Sequence, residues 1–167
     1  MNLLREYIKE LIAHGDKKYY FAYGSNMDQS RLHRRSEKGL PCVFDTHLNL
    51  PVIGNANLYD HSLGFAGYSE TWEGPTATLV HNPGNKVTGV VYLTDEKQER
   101  ALSCFENSDG HRTAPTHDKI NVTVECDDGN TYECYTFVSK AKSTPESRPP
   151  LKYAKALKDA YASRVMI

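Results

Sequence analysis

The sequence predicts an α+β fold, a single domain in which helices flank a small, mostly antiparallel sheet that is closed or nearly closed. The length of 167 residues is sufficient for one substantial hydrophobic core and too short for two full domains. Strand-like runs are short and are separated by Gly, Pro and Asn, as in antiparallel sheets. Helical periodicity is limited to a few segments, so we expect six or seven strands and three or four helices.

The first half of the chain contains two predicted helices and several strands. Residues 2–14 carry apolar side chains at helical spacing with charged residues opposite, which predicts an amphipathic helix. An aromatic run at 19–23 is typical of a strand. A second helix is predicted from Met27 to about Arg35, capped by Ser25 or Asn26. Strand-like runs then follow at 53–58, 62–67 and 76–80.

The second half begins with a predicted turn at 82–85, whose sequence is Asn-Pro-Gly-Asn. A strand is predicted at 86–93. Asp95 and Gln98 have the spacing of a capping box, which predicts that a helix begins there. The remaining elements are a hairpin of two strands around a turn at 127–130, a polar linker and a final helix: 119–125, 131–138, 139–150 and 151–163.

Charge and composition exclude several classes of function. Twenty Lys and Arg against twenty-one Asp and Glu leave a net charge of −1, which argues against nucleic-acid or anionic-membrane binding. No apolar run approaches the roughly 20 residues that span a bilayer. Charged residues at the N-terminus argue against a signal peptide, so we expect a cytoplasmic protein with four reduced cysteines. The histidine and cysteine spacings predict no metal site.

The local feature most indicative of chemistry is the segment 21–27, in which a strand ends at Gly24 and a helix follows. Backbone N–H groups at the start of a helix lack intrahelical acceptors and favour an anion or a developing oxyanion. Gly24 would allow a ligand to approach the backbone, and Tyr23 could form a wall or donate its hydroxyl. A capped strand-to-helix turn without a ligand explains the same pattern.

This segment resembles the signature loop of the γ-glutamylcyclotransferase-like superfamily, from Tyr20 to Met27 with Arg31 and Leu32 following. The resemblance continues in order through most of the chain, at 74–80, 83–84, 87–93, 101–106, 135–138 and 149–153. It implies a small mixed β-barrel, here residues 19–167, with residues 1–18 as an additional N-terminal helical extension. We expect that extension to bury its apolar face against the barrel or in a homodimer.

The resemblance also implies an activity without a cofactor: cyclisation of a γ-glutamyl amide to 5-oxoproline, with release of an amine or amino acid. By its position in the motif, Glu106 matches the catalytic glutamate, which acts as general base and then as general acid. The loop residues match the part of the family loop that binds the γ-glutamyl group. The matching positions for substrate binding are Tyr23, Gly24, Ser25, Asn26, Met27, Tyr135 and Tyr153.

Two departures from the family pattern lie directly after Glu106. Asn107 replaces the usual glycine, and the stretch 108–117 lacks the usual aromatic residue. These departures motivate an alternative function, a non-catalytic module that binds a small molecule in the same pocket. His111, Arg112 or His117 could form a rim that attracts a second anionic group of the substrate; ordinary exposed polarity is the other interpretation. The leaving amine is not identified by these motifs.

Overall fold

The computed structural model describes residues 3–13, 17–37, 42, 46–110 and 112–164. Its elements are four α-helices, α1 to α4, and five strands, β1 to β5. The helices are Leu3–Ala13, Gln29–Glu37, Glu96–Phe105 and Leu151–Ser163, and a 3-10 turn covers Ser25–Met27. The strands are Lys17–Ala22, Val52–Ser69, Gly74–Asp95, His117–Cys126 and Thr131–Ser139.

The five strands close into a barrel in the order β1-β3-β2-β4-β5. All neighbouring pairs are antiparallel except β5 and β1, which run parallel and complete the circle. The mixed, mostly antiparallel barrel that the sequence predicts is therefore confirmed. The closing pair places Tyr20 of β1 beside Tyr135 of β5, which brings together two distant parts of the chain.

The strand count is lower than predicted because β2 and β3 are long and continuous. The predicted strands 53–58 and 62–67 are one strand, and so are 76–80 and 86–93. The predicted turn at 82–85 does not reverse the chain: it is a bulge in β3. Opposite it, Asp60 adopts a left-handed conformation (φ 61°) and its carboxylate accepts a hydrogen bond from the N–H of Gly84 at 3.1 Å, so the two strands remain paired on both sides.

The second predicted helix begins two residues later than expected. The 3-10 turn at Ser25–Met27 comes first, and α2 follows it. The helix is capped by Asp28, whose carboxylate accepts hydrogen bonds from the N–H groups of Ser30 and Arg31. The prediction of Ser25 or Asn26 as the cap was wrong, because those residues form the preceding turn.

The predictions for α3, the final hairpin and α4 are confirmed. Asp95 and Gln98 form both hydrogen bonds of the capping box, β4 and β5 pair along their length, and α4 begins directly after Pro150.

Alternate side chains of β1 enter two different core clusters. Tyr20 and Ala22 pack with residues of α2, α3 and α4, whereas Tyr19 and Phe21 pack on the other side of the strand.

Helix α1 lies against β1 and buries Ile8, which is 8% exposed. Leu3, Leu4 and Tyr7 remain 83%, 64% and 58% exposed. Residues 2 and 14 of the predicted helix lie outside the described residues. The homodimer through this helix, and the division of the chain at residue 18, stay predictions.

Two of the four cysteines are not thiols. Cys42 and Cys104 form a disulfide, and Cys126 and Cys134 are free and buried. The prediction that all four are reduced was wrong because spacing in the sequence does not show which side chains the fold brings together. None of the helices in the described residues is both long and apolar enough to cross a membrane.

Candidate active site

Glu106 is held at the end of α3 by a well-defined helix terminus. It is the C-cap residue. The N–H of Asn107 bonds to the carbonyl of Cys104 at 3.0 Å, and the N–H of Ser108 bonds to that of Ser103 at 2.8 Å. This pair of hydrogen bonds is a Schellman motif, which requires a left-handed residue just after the cap. Asn107 supplies it, with φ 50°.

Asn107 therefore fits the position where the family has glycine. Asparagine is one of the few residues other than glycine that adopts the left-handed conformation readily. Its side chain is buried, and its Nδ2 lies within hydrogen-bond distance of Thr113 Oγ1 (2.8 Å) and the carbonyl of Ala114 (3.2 Å). Asn107 thus preserves the terminus that carries Glu106 and also holds the loop that follows.

The carboxylate of Glu106 is bound on one side by the loop after β1. Its Oε1 accepts hydrogen bonds from Nδ2 of Asn26 at 3.0 Å and from Nη1 of Arg35 at 3.3 Å. Asn26 also contacts Arg35 and Tyr20. Its Oδ1 accepts a hydrogen bond from Nη1 of Arg35 at 2.9 Å, and its Nδ2 lies 3.0 Å from the hydroxyl of Tyr20. Oε2 has no hydrogen bond to any described residue, and a quarter of the side chain is exposed.

Several buried tyrosines surround this carboxylate. Burial raises the pKa values of Tyr20, Tyr23 and Tyr153 well above the ordinary value, and the negative charge of Glu106 raises them further. These phenols are therefore neutral at physiological pH and can act as hydrogen-bond donors. Tyr23 donates its hydrogen to the carbonyl of Phe137, so its hydroxyl is already occupied.

The predicted binding loop lies next to Tyr153. A methyl group at Gly24 would lie 3.4 Å from the Tyr153 hydroxyl oxygen, and the N–H of Ala77 donates to that same oxygen at 2.9 Å. Gly24 and Ser25 are half-buried, and no side chain caps the 3-10 turn that begins at Ser25. The first N–H groups of such a turn have no intrahelical acceptor, so they can bind an oxygen of a ligand.

Met27 and Tyr135 are placed differently from the other predicted residues. Met27 is fully buried, and its N–H bonds to the carbonyl of Gly24 at 3.0 Å. Tyr135 stacks on the ring of Tyr20 with 5.4 Å between centroids, but its hydroxyl bonds to Thr94 at 2.8 Å. Both lie in the core behind the site, and their direct contact with substrate stays a prediction.

Arg35 and Tyr20 were not predicted as site residues. Tyr20 was visible in the sequence only as the first residue of the signature motif, and Arg35 as the arginine one helical turn after Arg31. In the stretch 108–117, Arg112 is exposed and lies 3.4 Å from the carbonyl of Phe105. His111 lies outside the described residues.

Glu99, a buried glutamate within α3, has a different environment from Glu106. Burial alone would raise the pKa of its carboxyl, but hydrogen bonds and charges from Lys119 and Lys18 outweigh burial and hold the pKa below the ordinary value. The ammonium groups lie 2.8 and 3.2 Å from its oxygens. A carboxylate neutralised by two lysines is a poor proton carrier, so Glu99 is suited to a structural role.

Comparison with known proteins identifies the family and the fold of this chain. The family model described as gamma-glutamyl cyclotransferase, AIG2-like, matches residues 20–155. The gamma-glutamylcyclotransferase of Bos taurus is 30% identical over 138 residues, which are 80% of this chain and 65% of that protein. The chain thus spans slightly less than two thirds of the length of that relative.

Two solved structures share the fold. A gamma-glutamyl cyclotransferase superposes with a TM-score of 0.72 at 25% identity, covering 89% of this chain and 80% of that one. YkqA from Bacillus subtilis gives a TM-score of 0.68 at 26% identity, covering 92% of this chain and 51% of that one. Because the family model covers most of the barrel and its flanking helices, the chain belongs to the gamma-glutamyl cyclotransferase, AIG2-like family.

Proposed function

We propose that this protein is a γ-glutamyl cyclotransferase, which converts a γ-glutamyl amide to 5-oxoproline and a free amine. The observation that carries the proposal is the arrangement of Glu106, with Oε1 fixed by Asn26 and Arg35 and Oε2 left without a partner among the described residues. A carboxylate held in this way can accept a proton and return it without moving far.

The reaction needs two proton transfers and the stabilisation of one negative charge, on the carbonyl oxygen. The α-amine of the substrate attacks its own γ-carbonyl carbon, and Glu106 takes the proton that the amine loses. The carbonyl oxygen becomes an oxyanion, for which the N–H groups near Gly24 and Ser25 are suitable donors. The C–N bond then breaks, Glu106 returns the proton to the leaving nitrogen, and 5-oxoproline and the amine are released.

Tyr153 is suited to fix the substrate between the loop and Glu106. Its hydroxyl accepts a hydrogen bond from Ala77 and keeps its own hydrogen for another acceptor. The same hydroxyl is close enough to Glu106 for the carboxylate charge to raise its pKa. We infer that Tyr153 donates to an oxygen of the γ-glutamyl group.

The alternative, a non-catalytic binding module, was motivated by Asn107 and the altered loop after it. Asn107 preserves the helix terminus that presents Glu106, so we favour the enzyme. A cytoplasmic location stays an expectation. The disulfide of Cys42 and Cys104 counts against it, since disulfides are rare in reducing compartments.

The test is release of 5-oxoproline, measured by mass spectrometry over a panel of γ-glutamyl amides. Glu106→Gln keeps an oxygen that can accept from Asn26 but cannot carry a proton, and we expect at least about a 100-fold loss of kcat. Glu99→Gln is the matched control on the same helix and should retain turnover. Equal turnover by wild type and Glu106→Gln would disprove the assignment of Glu106, and binding without any turnover would favour the module.

A further inference from the structure

Two histidines meet across the paired strands β2 and β3. His61 and His81 are directly opposite in the antiparallel register, and their rings lie edge to face with 5.7 Å between centroids. His61 is half-buried and His81 is exposed. Because directly opposite side chains project from the same face of a sheet, the two imidazoles are held together at the protein surface.

The bulge in β3 determines which residue faces His61. On one side of the bulge Tyr59 pairs with Lys86, and if that register continued, Gly84 would lie opposite His61. The bulge shifts the register, so that His81 takes this position instead. The pairing of the two histidines therefore follows from the bulge, and spacing in the sequence does not indicate it.

The ring of His61 is oriented by a second contact. Its Nδ1 lies 2.8 Å from the backbone carbonyl of Tyr59. Since a carbonyl oxygen can only accept, Nδ1 carries the hydrogen, and in the neutral ring Nε2 carries the lone pair. A histidine that binds a metal ion typically donates its other N–H to a carbonyl or carboxylate, which fixes the ring and its tautomer. His61 therefore presents Nε2 as a preorganised ligand.

The distance between the two rings is compatible with one shared metal ion. With Zn–N bonds of about 2.0–2.1 Å, two imidazoles at a tetrahedral angle have centroids roughly 5 Å apart. A small rotation of the exposed ring of His81 closes the difference from the observed 5.7 Å. In the part of the chain that the structure describes, no group of three or more His, Cys, Asp or Glu is arranged to hold a metal. The protein would thus supply two ligands here, and water would complete the coordination.

We propose that His61 and His81 form a binding site for one divalent transition-metal ion, with Nε2 of His61 as one of the two ligands. Imidazole is a good ligand for Zn²⁺, Cu²⁺ and Ni²⁺, whereas Mg²⁺ and Ca²⁺ prefer oxygen ligands, so the site should select the first group and bind Cu²⁺ most tightly. A bound ion joins β2 to β3 beside the bulge. It should therefore stabilise the folded protein, because the unfolded chain does not hold the two ligands together.

This site is separate from the proposed active site. Ala77, whose N–H bonds to Tyr153, precedes His81 by four residues of the same strand, which is about 13 Å of extended chain. The inference therefore does not depend on the proposed function.

The experiment titrates untagged, metal-free protein with Zn²⁺ and with Cu²⁺ by isothermal titration calorimetry, and with Mg²⁺ as the comparison ion. We expect wild type to bind a single Zn²⁺ per chain. His81→Asn and His61→Asn should each weaken binding at least about 10-fold, because even the loss of an outer partner of a metal ligand costs roughly 10- to 100-fold in affinity. Zn²⁺ should raise the urea midpoint of wild type and not that of either variant. The electron paramagnetic resonance spectrum of bound Cu²⁺ should show two nitrogen ligands in wild type and one in each variant.

His47→Asn is the matched control. It removes another exposed histidine, whose Nδ1 accepts a hydrogen bond from the N–H of Asn49, and its affinity for Zn²⁺ should equal that of wild type. Melting temperatures without added metal show whether the variants fold. The inference is wrong if wild type binds neither Zn²⁺ nor Cu²⁺, if Mg²⁺ binds as tightly as Zn²⁺, or if both variants bind Zn²⁺ as wild type does. Because binding is measured without substrate, none of these results depends on whether 5-oxoproline is released.

Discussion

The side-chain nitrogen Nδ2 of Asn26 lies 3.0 Å from Oε1 of Glu106, a residue 80 positions away in the sequence. This hydrogen bond connects the loop after β1 to the end of α3. Asn26 is itself fixed, because it is 4% exposed and its backbone carbonyl accepts from the Tyr92 hydroxyl at 2.9 Å. The loop that is predicted to bind substrate and the carboxylate that is predicted to react are therefore parts of one rigid arrangement.

We predict that Arg35→Met lowers kcat by about 10- to 100-fold with a small change in KM, because it removes a hydrogen bond that orients Glu106. Arg35→Lys keeps a cation that can donate to Oε1 of Glu106, so it should lose less of kcat than Arg35→Met. If Arg35→Met lowers the melting temperature and leaves kcat and KM unchanged, the role of Arg35 is only structural.

A second prediction separates the backbone and side-chain roles of Asn107. Asn107→Ala should destabilise the fold by about 1–2 kcal/mol through the left-handed backbone alone, and the loss of the bonds to Thr113 and Ala114 adds to this. Asn107→Gly loses only the side-chain bonds, so it should be the more stable variant in urea unfolding. If the glycine variant is no more stable than the alanine variant, backbone strain is not the reason for Asn at this position.

Elements governed by local sequence were predictable from the chain alone. The capping box of Asp95 and Gln98 and the hairpin of β4 and β5 depend on residues close in sequence, and both are present as predicted. The Asn-Pro-Gly-Asn stretch at 82–85 predicts a turn between two strands, but it forms a bulge within β3. Its turn preference is satisfied inside the strand, because Asp60 on the neighbouring strand accepts the hydrogen bond of the Gly84 N–H. Local propensity does not report what the neighbouring strand supplies.

The site was only partly predictable for a related reason. Glu106 and the loop at Gly24 could be identified from motifs, but the contact of Arg35 with Glu106 joins residues 71 apart. That contact depends on how α2 and α3 pack on the closed barrel. The cation–π contact between Arg31 on α2 and the ring of Trp72 also depends on how α2 packs. No spacing rule in the sequence indicates this contact.

A third prediction concerns alkaline pH. Burial, with the nearby Tyr132, raises the pKa of Tyr19 from 10.0 to about 12. The folded protein therefore retains a proton that the unfolded chain loses above pH 10, so this stabilisation is present below pH 10 and is lost as pH rises to 12. For Tyr19 alone the loss at pH 11 is about 1 kcal/mol, and other buried tyrosines add to it. Urea unfolding from pH 8 to 11 measures this decline.

Tyr19→Phe is the matched variant, because the Tyr19 hydroxyl is buried and has no hydrogen-bond partner among the described residues. Its removal should cost little stability at pH 8 and should reduce the decline between pH 9 and 11. An unchanged pH dependence in Tyr19→Phe would show that Tyr19 does not contribute to alkaline unfolding.

The last prediction concerns the cysteines. Burial and the charge of Asp128 raise the pKa of Cys126 to about 12, and burial raises that of Cys134 further. Only the thiolate is alkylated, so iodoacetamide at pH 8 should leave the native protein unlabelled. In guanidinium without reductant it should label Cys126 and Cys134, and with reductant it should label all four cysteines, as peptide mass mapping can show.

Reduction of the Cys42–Cys104 disulfide should also lower stability. The two residues are 62 apart in sequence, and the chain-entropy model assigns a cross-link of this length about 4 kcal/mol. Because Cys104 lies two residues before Glu106, loosening of this part of α3 should reduce 5-oxoproline release at a lower temperature than in the oxidised protein. Labelling of four cysteines in guanidinium without reductant would instead show that the purified protein contains four thiols, as the sequence alone predicts.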